Sequence, residues 1–110
     1  MRKTIEDLLI SGQFEKANVE LASFLEDLIV KSEKKEISNY DLVRSIQPIY
    51  IEMKPILRDG LNENLDEALF VLWEMHDIAE NDFKGREEKL IEAKGLLDSW
   101  KRFESEPTLP

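Results

Sequence analysis

The sequence predicts an all-α protein, an up-down antiparallel bundle of four to five helices whose third helix is bent by two prolines. Three observations carry this expectation. Apolar residues recur at three- and four-residue spacing along most of the chain, the period of a helix with one buried face. No run of alternating β-branched residues bounded by hairpin signals occurs. The four glycines and four prolines mostly sit where helices should stop or bend.

A short first helix takes Thr4 as its cap, with Asp7 three residues on, and stops at Ser11-Gly12. The second is expected from about Phe14 to about Lys35. Phe14, Ala17, Leu21, Leu25 and Leu28 form its stripe, widened by Phe24 and Ile29. The stretch from Leu8 to Leu25, turning at Gly12-Gln13, resembles the helix-turn-helix of a tetratricopeptide unit. With no second copy at the repeat period, a solenoid is excluded.

The third helix starts at Ser38, with Asp41 in the capping-box position, and ends before Asp59-Gly60. Pro48 and Pro55 argue for a break. At about 100° per residue, however, Leu42, Val43, Ile46, Ile49, Tyr50, Met53, Ile56 and Leu57 stay in phase on one face, and both prolines fall opposite. There the carbonyls they orphan, near Arg44 and Ile51, can be hydrated while the helix curves. One bent helix is therefore expected, with two shorter helices meeting near Gln47 as the alternative.

A fourth helix is expected from Asn62 or Asn64 to about Asn81, and a fifth from Gly85 or Arg86 to Phe103. The fifth buries Leu90, Ala93, Leu96, Leu97, Trp100 and Phe103 on one side. Short loops between long amphipathic helices favour antiparallel neighbours. Residues 1–103 thus form one helical-bundle domain, and 104–110 a flexible tail.

Charge distribution singles out the fourth helix. The chain has a net charge of −9, and the stretch 59–83 holds eight Asp and Glu with no Lys or Arg. On a helical wheel Leu65, Ala68, Leu69, Leu72, Met75, His76 and Ala79 point inward. Glu63, Asp66, Glu67, Glu74 and Asp77 point outward, with Phe70 in the middle of this acidic stripe and Trp73 at its edge. Like charges at Glu63–Glu67 and Glu74–Asp77 cost a few tenths of a kcal/mol per pair, so a helix selected for stability alone would intersperse lysines. A large aromatic on a solvent face is informative. Either another helix covers Phe70, or the ring lies flat on its own helix, or it anchors a partner.

The same composition narrows the function classes. Without cysteine there are no disulfides, thiolate metal sites or cysteine nucleophiles. No apolar run approaches the roughly 20 residues of a bilayer span, and the N-terminus turns acidic at Glu6-Asp7 before a signal-peptide core can form. A cytoplasmic protein with no membrane association is expected. The negative charge argues against direct nucleic-acid binding, where Lys and Arg must neutralise phosphates.

No nucleophile elbow, phosphate loop or metal motif appears, so the expectation is a non-enzyme with no cofactor and no metal. His76 is the only histidine and has Glu80 one turn on, but its place in the inward stripe makes it a structural residue. Trp100 reads as core. Tyr40, Pro48, Ile51 and Pro55 form a second, weaker outward patch on the third helix, either a homodimer contact or simply scattered surface.

Three phrases carry a family resemblance: Gly12-Gln13-Phe14-Glu15-Lys16-Ala17-Asn18, Glu36-Ile37-Ser38 and Leu96-Leu97-Asp98-Ser99-Trp100-Lys101. They resemble flagellar export chaperones, and the resemblance implies a small acidic helical bundle that wraps an export substrate. The segment from Phe83 to Lys89 departs from that pattern, and no site residues carry over.

The functional expectation is a non-enzymatic protein-binding module, acting as adaptor, chaperone or inhibitor. It would engage another protein with a basic surface through Phe70 and Trp73, steered by Glu63, Asp66, Glu67, Glu74 and Asp77. One alternative is an acidic inhibitor or immunity protein that mimics nucleic acid against a nucleic-acid enzyme. A flagellar-type export chaperone is the other.

Overall fold

Capping residues divide the chain into helices at defined points. The computed structural model describes residues 2–105, with the side chains of 3–102, and within them the helices are α1 (Arg2–Ile10), α2 (Phe14–Glu33), α3 (Asn39–Tyr50), α4 (Pro55–Arg58), α5 (Glu63–Trp73) and α6 (Phe83–Ser105). A 3-10 turn, Glu74–Asp77, continues α5. No strand occurs among the described residues.

The first connection follows from glycine. Gly12 has φ +78, a left-handed conformation that only glycine adopts without strain. Its N–H donates to the Leu9 carbonyl (3.1 Å) and the Gln13 N–H to that of Leu8 (2.8 Å), which closes α1 in a Schellman motif. α2 ends in the same pattern, with the Glu36 N–H on the Lys31 carbonyl (2.8 Å), but there the left-handed residue is Lys35 (φ 60).

Ser38 caps α3 as expected, its Oγ accepting from the Asp41 N–H (3.0 Å). The two N–H groups before it are satisfied from far along the chain. Glu80 accepts from the Asn39 N–H (2.9 Å) and the Tyr40 N–H (3.2 Å). Asn62 caps α5 by accepting from the Asn64 N–H (2.8 Å).

The expected third helix is broken, not bent. Pro48 sits inside α3, but Pro55 becomes the first residue of the separate turn α4. A proline forces the residue before it out of the helical region, and Lys54 is extended at φ −60, ψ 136. The break thus lies at residues 51–54 and not near Gln47. Leu42, Val43, Ile46, Ile49 and Met53 are buried, whereas Ile56, expected in the same face, is 75% exposed because the new turn is out of phase.

The expected fourth helix also ends early. After Trp73 the chain tightens into the 3-10 turn, and Ile78 is extended. Beyond Met75 the carbonyls of Ile78 and Ala79 accept from Asn39 Nδ2 (3.0 and 3.5 Å) and take no part in a helical ladder. The change of pitch rotates His76 and Ala79 out of the inward stripe, and both are exposed. His76 is therefore not a core residue.

The last helix starts two or three residues earlier than expected because Asp82 caps it, accepting from the Gly85 N–H at 2.9 Å. Leu90, Ala93, Leu97 and Trp100 are buried and Leu96 half-buried. The Phe103 side chain lies outside the described residues, as do residues 106–110 of the expected tail; 104 and 105 continue the helix backbone.

α5 is the central element. It packs most extensively on α6, then on α3 and α2, while α1 lies on α2 and touches α4. Leu65, Leu69 and Leu72 of α5 join Leu21, Leu25, Ile46 and Ala93 in one connected core. Each fully buried Leu or Ile contributes about 1.5–3 kcal/mol. No helix among the described residues is long and apolar enough to cross a membrane.

Candidate functional site

The surface where α3 ends, α4 turns and α5 passes carries three aromatic rings. Tyr50 is the last residue of α3 and Phe70 and Trp73 lie one turn apart on α5. The Tyr50 ring centroid is 6.2 Å from that of Phe70 and 5.6 Å from that of Trp73, both pairs tilted. His76 extends the row, 5.3 Å from Trp73, its Nδ1–H donating to the Trp73 carbonyl (2.6 Å). Tilted pairs at such distances contribute about 0.5–1.5 kcal/mol each beyond area burial.

Arg58 holds the row in place. Its Nη1 donates to the Tyr50 carbonyl (2.9 Å), a group left over at the α3 C-terminus. Its guanidinium lies over the Tyr50 ring, 4.6 Å from the centroid. Nε (3.2 Å) and Nη2 both donate to Asp66 Oδ1 on α5. One side chain thus fixes the end of α3, the turn α4 and the first turn of α5 against each other.

Phe70 is 46% exposed: no helix covers it. Trp73 is half-buried against the core. The structure therefore brings Phe70 and Trp73 together, with Tyr50 as a third ring that the sequence placed in the inward stripe of a continuous helix.

The acids do not form one free stripe. Glu63 and Glu67 are exposed on α5, and Asp77 is exposed on the 3-10 turn, 3.3 Å from His76 Nε2. Asp66 pairs with Arg58 of α4, and Glu74 with Lys89 of α6 (3.1 Å). Two of the five expected steering carboxylates are thus committed to cations on different neighbouring elements, and the outward field of α5 is weaker than its own sequence suggests. Arg58 and Lys89 belong to other elements and reach these carboxylates only through folding, so a charge pattern along the sequence does not reveal them.

Comparison with known proteins finds no matching family model, no matching curated protein and no matching solved structure. The resemblance to flagellar export chaperones rests on the quoted residues alone.

Glu80 is committed elsewhere: its carboxylate caps α3, so it is not placed beside His76 as a ligand pair. Among the described residues no group of three or more His, Asp or Glu is arranged to hold a metal ion. The outward patch expected on the third helix is divided by the break. Tyr40 and Ile51 are exposed, but Pro55 belongs to α4, and the Tyr40 hydroxyl accepts from Arg44 Nη1 (3.0 Å).

Proposed function

We propose that this chain is a non-enzymatic protein-binding module, an adaptor, chaperone or inhibitor acting in the cytoplasm, whose contact surface is the platform of Tyr50, Phe70 and Trp73. We take its helices to alternate up and down, the arrangement short connections favour. The observation that carries the proposal is the 46% exposure of Phe70 on a helix whose other large apolar residues are turned to the core. Aromatic anchors seated on a rigid element are the usual energetic centre of an interface. Here Arg58 and the ring contacts fix the platform in advance, which lowers the ordering cost of binding. Glu63, Glu67 and Asp77 remain at the surface to favour a basic partner.

The ion pairs of Asp66 and Glu74 favour an aromatic contact over nucleic-acid mimicry, which needs a continuous row of unpaired carboxylates. The two readings separate by salt: burial of rings is tolerant of ionic strength, and carboxylate mimicry is not. Affinity capture with wild type and with the double variant Phe70→Ala/Trp73→Ala tests the site. The expected outcome is loss of partner recovery in the variant, with wild-type recovery largely kept at raised salt. Equal recovery by a folded variant would sink the assignment.

A further inference from the structure

α5 packs against three helices, α6, α3 and α2, and what it leaves open is one narrow strip. Between Glu63 and Trp73 the exposed residues are Glu63, Glu67 and Phe70; every other residue of the helix is buried or half-buried. Steps of four and three residues set them one above another on a single face. At 1.5 Å per residue, Glu63 and Phe70 stand about 10.5 Å apart along the axis.

The charges along the strip are unequal. Asp66 beside it is neutralised by Arg58, and Glu74 beyond Phe70 by Lys89. Glu63 and Glu67 pair with no cation among the described residues. Glu63, in the first turn, is favoured by the positive end of the helix, but Glu67 lies a turn further on, where that field has fallen away. The two carboxylates also repel each other at a separation of four residues, and nothing in the fold relieves it. The strip therefore has an aromatic ring at one end and two uncompensated carboxylates at the other.

We infer that the strip takes a basic amphipathic helix of the partner, laid antiparallel along α5, with the pattern Leu-x-x-Lys-x-x-x-Lys. The inference rests on the aromatic platform proposed above and gives its partner a secondary structure, a register and a direction. The leucine packs on Phe70 with Tyr50 and Trp73 beside it, and the two ammonium groups reach Glu67 and Glu63. A second helix repeats the same rise of about 10.5 Å between its own first and third contacts. An extended strand spaces three residues of one face over about 13 Å, a mismatch of nearly 3 Å that takes the last cation out of hydrogen-bond reach. Direction follows from the dipoles. Lysines in the last turns of the partner helix suit its own negative end, and that end then lies over the positive end of α5.

The test is fluorescence anisotropy of a fluorescein-labelled, Ala-rich peptide of this pattern titrated with the full chain. A register control has the same composition with both lysines moved one residue toward the leucine, which turns them to the opposite face. Expected is saturable binding with Kd on the order of 100 µM, at least about fivefold weaker for the register control. The double variant Glu63→Gln/Glu67→Gln is expected to weaken binding about tenfold. Glu15→Gln/Glu87→Gln, which removes the same charge from exposed residues of α2 and α6, should leave it unchanged. Phe70→Ala should abolish it. Equal binding of the two peptides, equal losses in the two glutamate variants, or no saturable binding would overturn the inference. Loss in Phe70→Ala with no change in Glu63→Gln/Glu67→Gln would overturn it and leave the platform standing; full binding by a folded Phe70→Ala would overturn both.

Discussion

Asn18 ties three parts of the chain together through one side chain. It is buried on α2; Nδ2 donates to the Phe14 carbonyl (2.7 Å) and the Gly60 carbonyl (3.3 Å), and Oδ1 accepts from the Asn62 N–H (2.7 Å). The loop that leads into α5, and so orients Phe70 and Trp73, is fixed to α2 here. Asn18→Ala leaves Gly60 and Asn62 without these partners and is expected to cost about 2–3 kcal/mol, read as a lower urea midpoint with unchanged slope. Asn18→Asp keeps the acceptor for Asn62 but sets a buried carboxylate oxygen against the Phe14 and Gly60 carbonyls, so it is expected to cost at least as much as Asn18→Ala. Spacing along a helix reveals apolar partners three or four residues away. It cannot reveal a bond between Asn18 and Asn62, or between Asn39 and Glu80, whose partners are separated by 44 and 41 residues. The same blindness hid Arg58 and Lys89, which pair with Asp66 and Glu74 at separations of 8 and 15.

At the scale of elements, the two prolines behave differently because their surroundings differ. Pro48 is followed by bonds that continue the helix, with the Gln47 carbonyl accepting from the Ile51 N–H (2.9 Å) and the Glu52 N–H (3.3 Å). Pro55 follows an extended Lys54 and starts afresh. Pro48→Ala restores a donor toward Arg44 and removes a ring clash at a half-buried position. We expect it to stabilise the fold by about 1 kcal/mol, seen as a raised urea midpoint; a lowered midpoint would show that the proline ring is needed for packing. The apolar phase of Leu42, Val43, Ile46 and Ile49 was legible in sequence because each of those residues is buried by a neighbour along a regular repeat. Phase alone could not place the end of α5, since the chain leaves the helix there to cap α3 with Glu80.

For the molecule as a whole, the helical class, the core stripes of α2 and α6 and the concentration of acid between 59 and 83 were all readable from spacing and composition. The surface that results was not. Packing brings cations to Asp66 and Glu74 and adds Tyr50 to the two expected aromatics. What survives of the expected contact surface is an exposed ring on a rigid element, with fewer free carboxylates around it. Phe70 on α5 and Val19 on α2 are almost equally exposed, at 46% and 49%, so Val19 is the control for accessibility alone. The most direct measurement is photo-crosslinking in the cells that make the protein, with p-benzoylphenylalanine in place of Phe70 or of Val19. A discrete protein adduct from position 70 and none from position 19 is the predicted result. No adduct from position 70, or the same adduct from both positions, would contradict a partner-binding platform at Phe70.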